Sequence, residues 1–160
     1  MRRLKVEAAF SLSCQNMERN LLSYPYLFID MEALNCPVNS KHVLVVDDDI
    51  ELAFTYQALL QLRGYRVSIA ANGAEALKLV LNSDVDAVLC DLGMPELAGD
   101  LFYIEVGRAR PHLLKRFIFV TGNADNPLYE TFLNSVRAPV LAKPVSFDGL
   151  VGKLRAVFSA

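Results

Sequence analysis

Five residues with side chains that do chemistry stand where apolar runs stop. Asp47 and Asp48 close "HVLVV", Asp91 closes "VDAVLC", Thr121 closes "RFIFV", and Lys143 follows "PVLA". Carboxylates crowded together repel one another and are stable only if protonated or sharing a cation. Carboxylate oxygens suit a hard divalent ion, and Mg²⁺ in particular prefers few protein ligands, several waters and a phosphate oxygen. Lys143 would add a mobile positive charge, and the Thr121 hydroxyl a hydrogen-bond donor. Such a set would hold a phosphoryl group that Asp91, as a carboxylate nucleophile, accepts covalently.

Each residue also has a plainer reading. Asp47, Asp48 and Asp49 suit the N-cap of a following helix and the positive end of its dipole. Of these, Asp49 is assigned to the cap and left out of the metal site. Lys143 alone reads as a solvated lysine, Thr121 as a strand or turn residue, and Pro95 and Gly99 as loop punctuation. Cys90 reads as a small core residue. His42 and His112 have no partner spacing for a metal or phosphohistidine role and read as surface or loop positions.

The chemistry requires elements that bring these positions together. Five short β-rich runs appear from Lys41 onward, "HVLVVD", "YRVSIA", "VDAVLCD", "RFIFVTG" and "PVLAKP", and helical periodicity follows each. Ala53, Tyr56 and Leu60 form a stripe after the first run, and Ala76, Leu77, Val80 and Leu81 one after the second. Tyr129, Phe132, Leu133 and Val136 follow the fourth, with Asn126-Pro127 as N-cap and first helical residue. Phe147, Leu150, Val151, Leu154 and Phe158 follow the fifth. Five βα units in a row predict an α/β fold: a doubly wound, five-stranded parallel sheet with helices on both faces. Ligands of such a sheet sit beyond the carboxyl ends of the strands, where the crossovers part. All five candidate residues fall there.

Composition sets the boundaries. The chain has 160 residues, 53% hydrophobic and 21% charged, enough for one packed core in a soluble domain. Formal charge is -2, and neither residues 1–40 nor the remainder carries the cationic excess of a nucleic-acid binder. Cys14, Cys36 and Cys90 make an odd set without CxxC spacing, which argues against a disulfide framework or zinc site and for a reducing cytoplasm. The start "MRRLKVEAAFSLSC" has a basic end, but Glu7 interrupts its short apolar run, so neither export nor a membrane span is expected. Residues 1–40 read as an extension ending in the linker "NCPVNS", with Met31 an alternative start. Residues 41–160 read as the domain.

Four motifs in register, "VLVVDDD", "VLCDLGMPELAG", "FVTG" and "LAKPV", resemble the receiver domains of two-component response regulators, including single-domain chemotaxis regulators. The resemblance covers roughly residues 41 to 160 and implies a flavodoxin-like (βα)5 fold. It implies Asp91 as phosphoacceptor, and Asp47, Asp48, Asp91 and the Gly93 backbone carbonyl as Mg²⁺ ligands. Thr121 becomes the switch hydroxyl, Lys143 the phosphate-binding lysine, and Lys143-Pro144 a cis peptide. It further implies a histidine kinase or histidine phosphotransfer protein as donor and a downstream protein target, with room for a weak homodimer and no part for nucleic acid or membrane. The segment from Phe119 to Leu150 looks like the terminal receivers of hybrid histidine kinases. The sequence stops soon after the last stripe, so a stand-alone regulator or a receiver from a larger protein is expected.

The chain departs from the family pattern at three positions. Val140 stands where an inward-rotating aromatic is common, Ala98 before Gly99 where Asp is common, and Val145 where an aromatic often follows "KP". Gly93 has no side chain to orient a water, a task for which Asn123 is the candidate. Two alternatives compete with the phosphoacceptor: a docking module that is never phosphorylated, and a haloacid-dehalogenase-like phosphohydrolase. The second would use Asp47 as nucleophile and Asp49 as acid/base, but it expects Thr or Val where Glu51 stands.

Overall fold

The computed structural model describes residues 40–122 and 126–159. The expected extension, Cys14 and Cys36 lie outside them, as does Asn123. Chain order is β1 (His42–Val46), α1 (Ile50–Gln61), β2 (Arg66–Ala70), α2 (Gly73–Asn82), β3 (Ala87–Cys90) and α3 (Gly99–Ala109). A 3₁₀ turn (Pro111–Arg116), β4 (Phe117–Thr121), α4 (Pro127–Ser135), β5 (Val140–Ala142) and α5 (Phe147–Ser159) complete it. The strands form one sheet in the order β2-β1-β3-β4-β5, every neighbouring pair parallel, as the alternation of strand and helix patterns predicts.

Side-chain alternation along the strands divides the core in two. Val43, Val45, Leu89, Ile118 and Val120 face α1 and α5, whose Ala53, Tyr56, Leu60, Leu150, Val151 and Leu154 complete that cluster. Leu44, Val46, Val88, Cys90, Phe117 and Phe119 face the other way, onto Ala76 and Val80 of α2 and Phe102 and Val106 of α3. Burying each such side chain is worth about 1.5–3 kcal/mol, so strands apolar on both faces anchor the domain.

Asp49 caps α1 as expected, its carboxylate accepting from Leu52 N–H at 3.0 Å, and Asn126 caps α4 by accepting from Leu128 N–H with Pro127 at the first helical position. The Lys143-Pro144 peptide is cis.

Several expectations need correction. His42 is a core-edge residue of β1, only 6% exposed, with Nδ1 2.9 Å from the Asp84 carbonyl and Nε2 2.9 Å from Ser68 Oγ. A carbonyl only accepts, so Nδ1 carries the proton and Nε2 accepts from the Ser68 hydroxyl. On α2, Leu81 is half exposed and Leu77 only partly buried, because Ala76 and Val80 already fill the contact with the sheet. On α5, Val157 takes the buried position expected of Phe158, whose ring stacks at the domain edge on Tyr65, centroids 6.0 Å apart.

The fourth helix has no fully buried residue. It rests on the sheet through partly buried Tyr129, Phe132 and Leu133, and the Phe132 ring meets Phe119 at 5.4 Å and Tyr103 at 5.6 Å, both edge-on. Contacts of this kind add ~0.5–1.5 kcal/mol per pair beyond area burial. That leaves α4 more weakly held than α1 or α3, each of which buries three residues fully.

Candidate functional site: an acidic pocket at the strand ends

Register brings the carboxylates together. Val46 pairs with Cys90 across β1 and β3, and the Asp91 N–H donates to the Val46 carbonyl at 2.9 Å, so Asp47 and Asp91 leave adjacent strands at one level. The crossovers diverge at this edge, since the chain passes from β1 to β2 on one side and returns to β3 on the other. On the far side of β3, the Lys143 N–H donates to the Thr121 carbonyl at 2.9 Å, which fixes the start of the Lys143 loop against the end of β4.

Side chains converge from these ends. Asp47, Asp48 and Asp91 each present a carboxylate oxygen, and all three lie within 4.8 Å of one another. The Lys143 ammonium donates to Asp47 Oδ2 at 2.8 Å and Asp91 Oδ2 at 3.2 Å. Asp47 is buried, Asp91 partly buried and Asp48 exposed, so the cluster runs from the sheet floor to solvent. Its acids are oriented by the backbone: Asp47 Oδ1 accepts from Asp49 N–H at 3.0 Å, and Asp91 Oδ1 from Leu92 N–H at 2.8 Å. Thr121 is buried at the last position of β4, and Gly93 is exposed two residues past Asp91. Val140 is partly buried, beside Phe119.

Electrostatics follow from this placement. Burial pushes the Asp47 carboxyl above its ordinary value, only partly offset by the Lys143 hydrogen bond and charge. Burial works against the Lys143 ammonium, but the Asp47 hydrogen bond and the Asp91 and Asp47 charges overcome it and hold its pKa above the usual lysine value. Burial, reinforced by Asp91, Asp47 and Asp100, drives the Cys90 thiol far up, so it stays protonated and donates to the Asp91 carbonyl. It is inert as a nucleophile.

The donor set fits a divalent cation. Ligand oxygens on one Mg²⁺ lie no more than about 4.2 Å apart, given metal–oxygen distances of 2.0–2.1 Å. A cluster spanning at most 4.8 Å needs only a small contraction. Lys143 now sits where such an ion would place charge. Asp49, needed as acid/base by the phosphohydrolase reading, has its carboxylate on the α1 cap.

Gly99 reads from sequence as loop punctuation, whereas it is the first residue of α3. A Cβ there would lie 2.3 Å from the Asp91 carbonyl oxygen, so only glycine lets α3 begin against the β3 end. The Gly99 N–H also donates to the Leu92 carbonyl at 3.1 Å, tying the loop that follows Asp91. Its place eight residues past the acid, at the start of a helix, was the one local signal.

Comparison with known proteins agrees with the fold. The response regulator receiver domain family matches residues 43–155. The transcriptional regulatory protein ZraR of Klebsiella oxytoca is 37% identical over 108 residues, 68% of this chain and 24% of that protein. The chain thus spans about a quarter of that relative's length. A CheY-like receiver domain protein from Methanospirillum hungatei JF-1 superposes with a TM-score of 0.69 at 28% identity, covering 76% of this chain and 95% of that one. The receiver domain of sensor histidine kinase PA1611 from Pseudomonas aeruginosa PAO1, solved with magnesium coordinated in its active-site cleft, gives 0.68 at 28% identity over 76% and 100%. With the family matched over most of its length and the parallel sheet in the same arrangement, the chain belongs to the receiver-domain family of response regulators.

Proposed function

We propose that residues 41–160 act as a phosphoacceptor receiver, with Asp91 taking a phosphoryl group from a histidine kinase or a histidine phosphotransfer protein. One observation carries this reading: three carboxylate oxygens within 4.8 Å of one another, with the Lys143 ammonium bridging Asp47 and Asp91. Asp47, Asp48, Asp91 and the Gly93 carbonyl would hold Mg²⁺, which when bound supplies positive charge against the phosphoryl oxygens. An Asp91 carboxylate oxygen attacks phosphorus as the N–P bond to the donor imidazole breaks. The electron pair of that bond returns to the imidazole nitrogen. Lys143 exchanges its Asp91 contact for a phosphoryl oxygen, and Thr121 closes on the same group.

The output follows from where the structure is weakest. Charge gained at Asp91 draws in Lys143 and Thr121, which shifts a two-state equilibrium of the loop after β4 and of α4. The lack of a fully buried residue in α4 supports this, since elements that move come from the low-stability end of a structure. The face of α4, β5 and α5 then presents a changed surface to a downstream protein. Similarity to the receiver of a sensor histidine kinase supports a phosphorelay role, the odd cysteine set without CxxC spacing supports a cytoplasmic setting, and residues 1–40 are read as an extension. Among the described residues no helix is long and apolar enough to cross a membrane.

Incubation with acetyl phosphate and Mg²⁺ tests the reading. The protein should gain one phosphoryl mass, lost on Asp91→Asn. No gain in the wild type would leave the docking module standing, and sustained phosphomonoester turnover that survives Asp91→Asn but not Asp47→Asn would favour the hydrolase.

A further inference from the structure

The loop from Leu92 to Ala98 carries the Gly93 carbonyl, and β3 alone does not set its path. Leu92 and Met94 are buried in the cluster on the α2 and α3 side of the sheet, and Gly93 between them is exposed. Glu96 then takes a φ of +63°, a left-handed conformation that a residue with a side chain keeps only where its surroundings impose it. Those surroundings include another βα unit. The Leu97 carbonyl accepts from the N–H of Gly73, the first residue of α2, at 3.2 Å.

The first turn of α2 is built for that contact. Asn72 caps it, its side chain accepting from Glu75 N–H at 2.8 Å, and Glu75 Oε2 reaches back to accept from Ala71 N–H at 2.9 Å. These bonds fix the turn and leave the Gly73 N–H, one of the donors that a helix start cannot use internally, to Leu97. Only a residue without a Cβ lets the loop come so close. A Cβ at Gly73 would stand 2.4 Å from the Leu97 carbonyl oxygen and 3.0 Å from Leu97 Cβ and Cγ. The nearest obstacle is backbone, so no rotamer change clears it. The far end of α2 is tied to the same βα unit, since the Arg110 guanidinium, just past α3, donates to the Leu81 carbonyl at 3.3 Å. The helix thus braces the β3–α3 connection at both ends.

We propose that Gly73 is a positioning residue for the phosphoacceptor loop: the first turn of α2 holds Leu97, and through it the Gly93 carbonyl, where a divalent cation gathers its ligands. The inference rests on the magnesium site proposed above and adds a residue that none of the four motifs contains. It makes the edge unit β2-α2, which supplies none of the proposed ligands, part of the pocket's frame.

Calorimetric titration with magnesium chloride on the wild type, Gly73→Ala and Val80→Ala tests the brace. Val80 is buried on the same helix, seven residues on and so about 10 Å along its axis. Truncating it opens a core cavity and lowers the urea midpoint without touching the loop. Gly73→Ala should weaken Mg²⁺ binding roughly fivefold, the scale of one net hydrogen bond, while Val80→Ala should bind as the wild type does. Equal affinities of wild type and Gly73→Ala, or the same loss in both variants, would overturn the positioning role while leaving the magnesium site intact. Amide hydrogen exchange on the wild type decides the matter should the alanine variant fail to fold. Because coupling is reciprocal, saturating Mg²⁺ should slow exchange at Gly73 and leave Gly64, whose N–H donates to the Gln61 carbonyl after α1, unchanged. A Gly73 rate that magnesium does not alter, or equal slowing at both glycines, would overturn the role as well. A wild type that takes up no Mg²⁺ would remove both the site and the brace.

Discussion

Gly99→Ala adds one methyl group at a place where two backbones already touch. The new Cβ would sit 2.3 Å from the Asp91 carbonyl oxygen and 3.0 Å from the Leu92 Cα. An ordinary C···O contact is at least about 3.3 Å, so something must open by roughly 1 Å. Both sides are backbone, and no rotamer change relieves the clash. Overpacking of this kind costs about 1–3 kcal/mol, and losing the Gly99 N–H bond to Leu92 about 1 kcal/mol more. Better helix propensity returns at most ~1 kcal/mol, which leaves a net loss of ~2 kcal/mol. The same opening carries Asp91 away from Asp47, from a cluster already near the limit for one ion, and Mg²⁺ affinity should fall at least roughly tenfold. Urea unfolding followed by tyrosine fluorescence reads the first effect, since the chain has six tyrosines and no tryptophan. Calorimetric titration reads the second. An alanine variant with the wild-type urea midpoint and wild-type Mg²⁺ affinity would refute the claim that glycine is required there.

Three further outcomes follow from the geometry. Lys143→Met removes the partner of buried Asp47 and should lower stability by ~2 kcal/mol without metal, below the cost for a fully enclosed pair because Lys143 keeps some solvent contact; saturating Mg²⁺ should restore the urea midpoint. Thr121→Ala should still gain the phosphoryl mass while the NMR shifts of α4 amides on phosphorylation shrink, and full-sized shifts would exclude Thr121 from the coupling. Burial lowers the His42 pKa below 6.5, so on acidification the unfolded chain takes up a proton before the folded one does. This contribution to stability is complete above pH 6.5, falls as pH drops toward the folded pKa, and levels off below it; the slope of urea midpoint against pH over this window should flatten in His42→Gln.

Most of the fold was legible because its three central strands, β1, β3 and β4, are buried on both faces and so read as apolar runs ending abruptly at Asp47, Asp91 and Thr121. The caps at Asp49 and Asn126 were legible for a related reason, since each acts on residues two or three positions away. What stayed hidden depends on contacts distant in sequence. The partners of His42 lie 26 and 42 residues away, so nothing local distinguished it from a surface histidine. The crowding at Gly99 exists only once α3 meets the end of β3. The excess of Leu77 and Leu81 over what α2 buries reflects a limit of periodicity, which marks a face but not how much of it the sheet can cover.

The spacing of the acids is a property of the ladder, because the Asp91 amide hangs on the Val46 carbonyl. Lengthening the turn between α1 and β2, or the connection from α4 to β5, should therefore leave the charge trap intact. One residue inserted between Val46 and Asp47 should turn that carboxylate to the opposite side of the sheet and abolish magnesium uptake. The domain is thus a rigid socket in which loop length is free to vary and strand length is not.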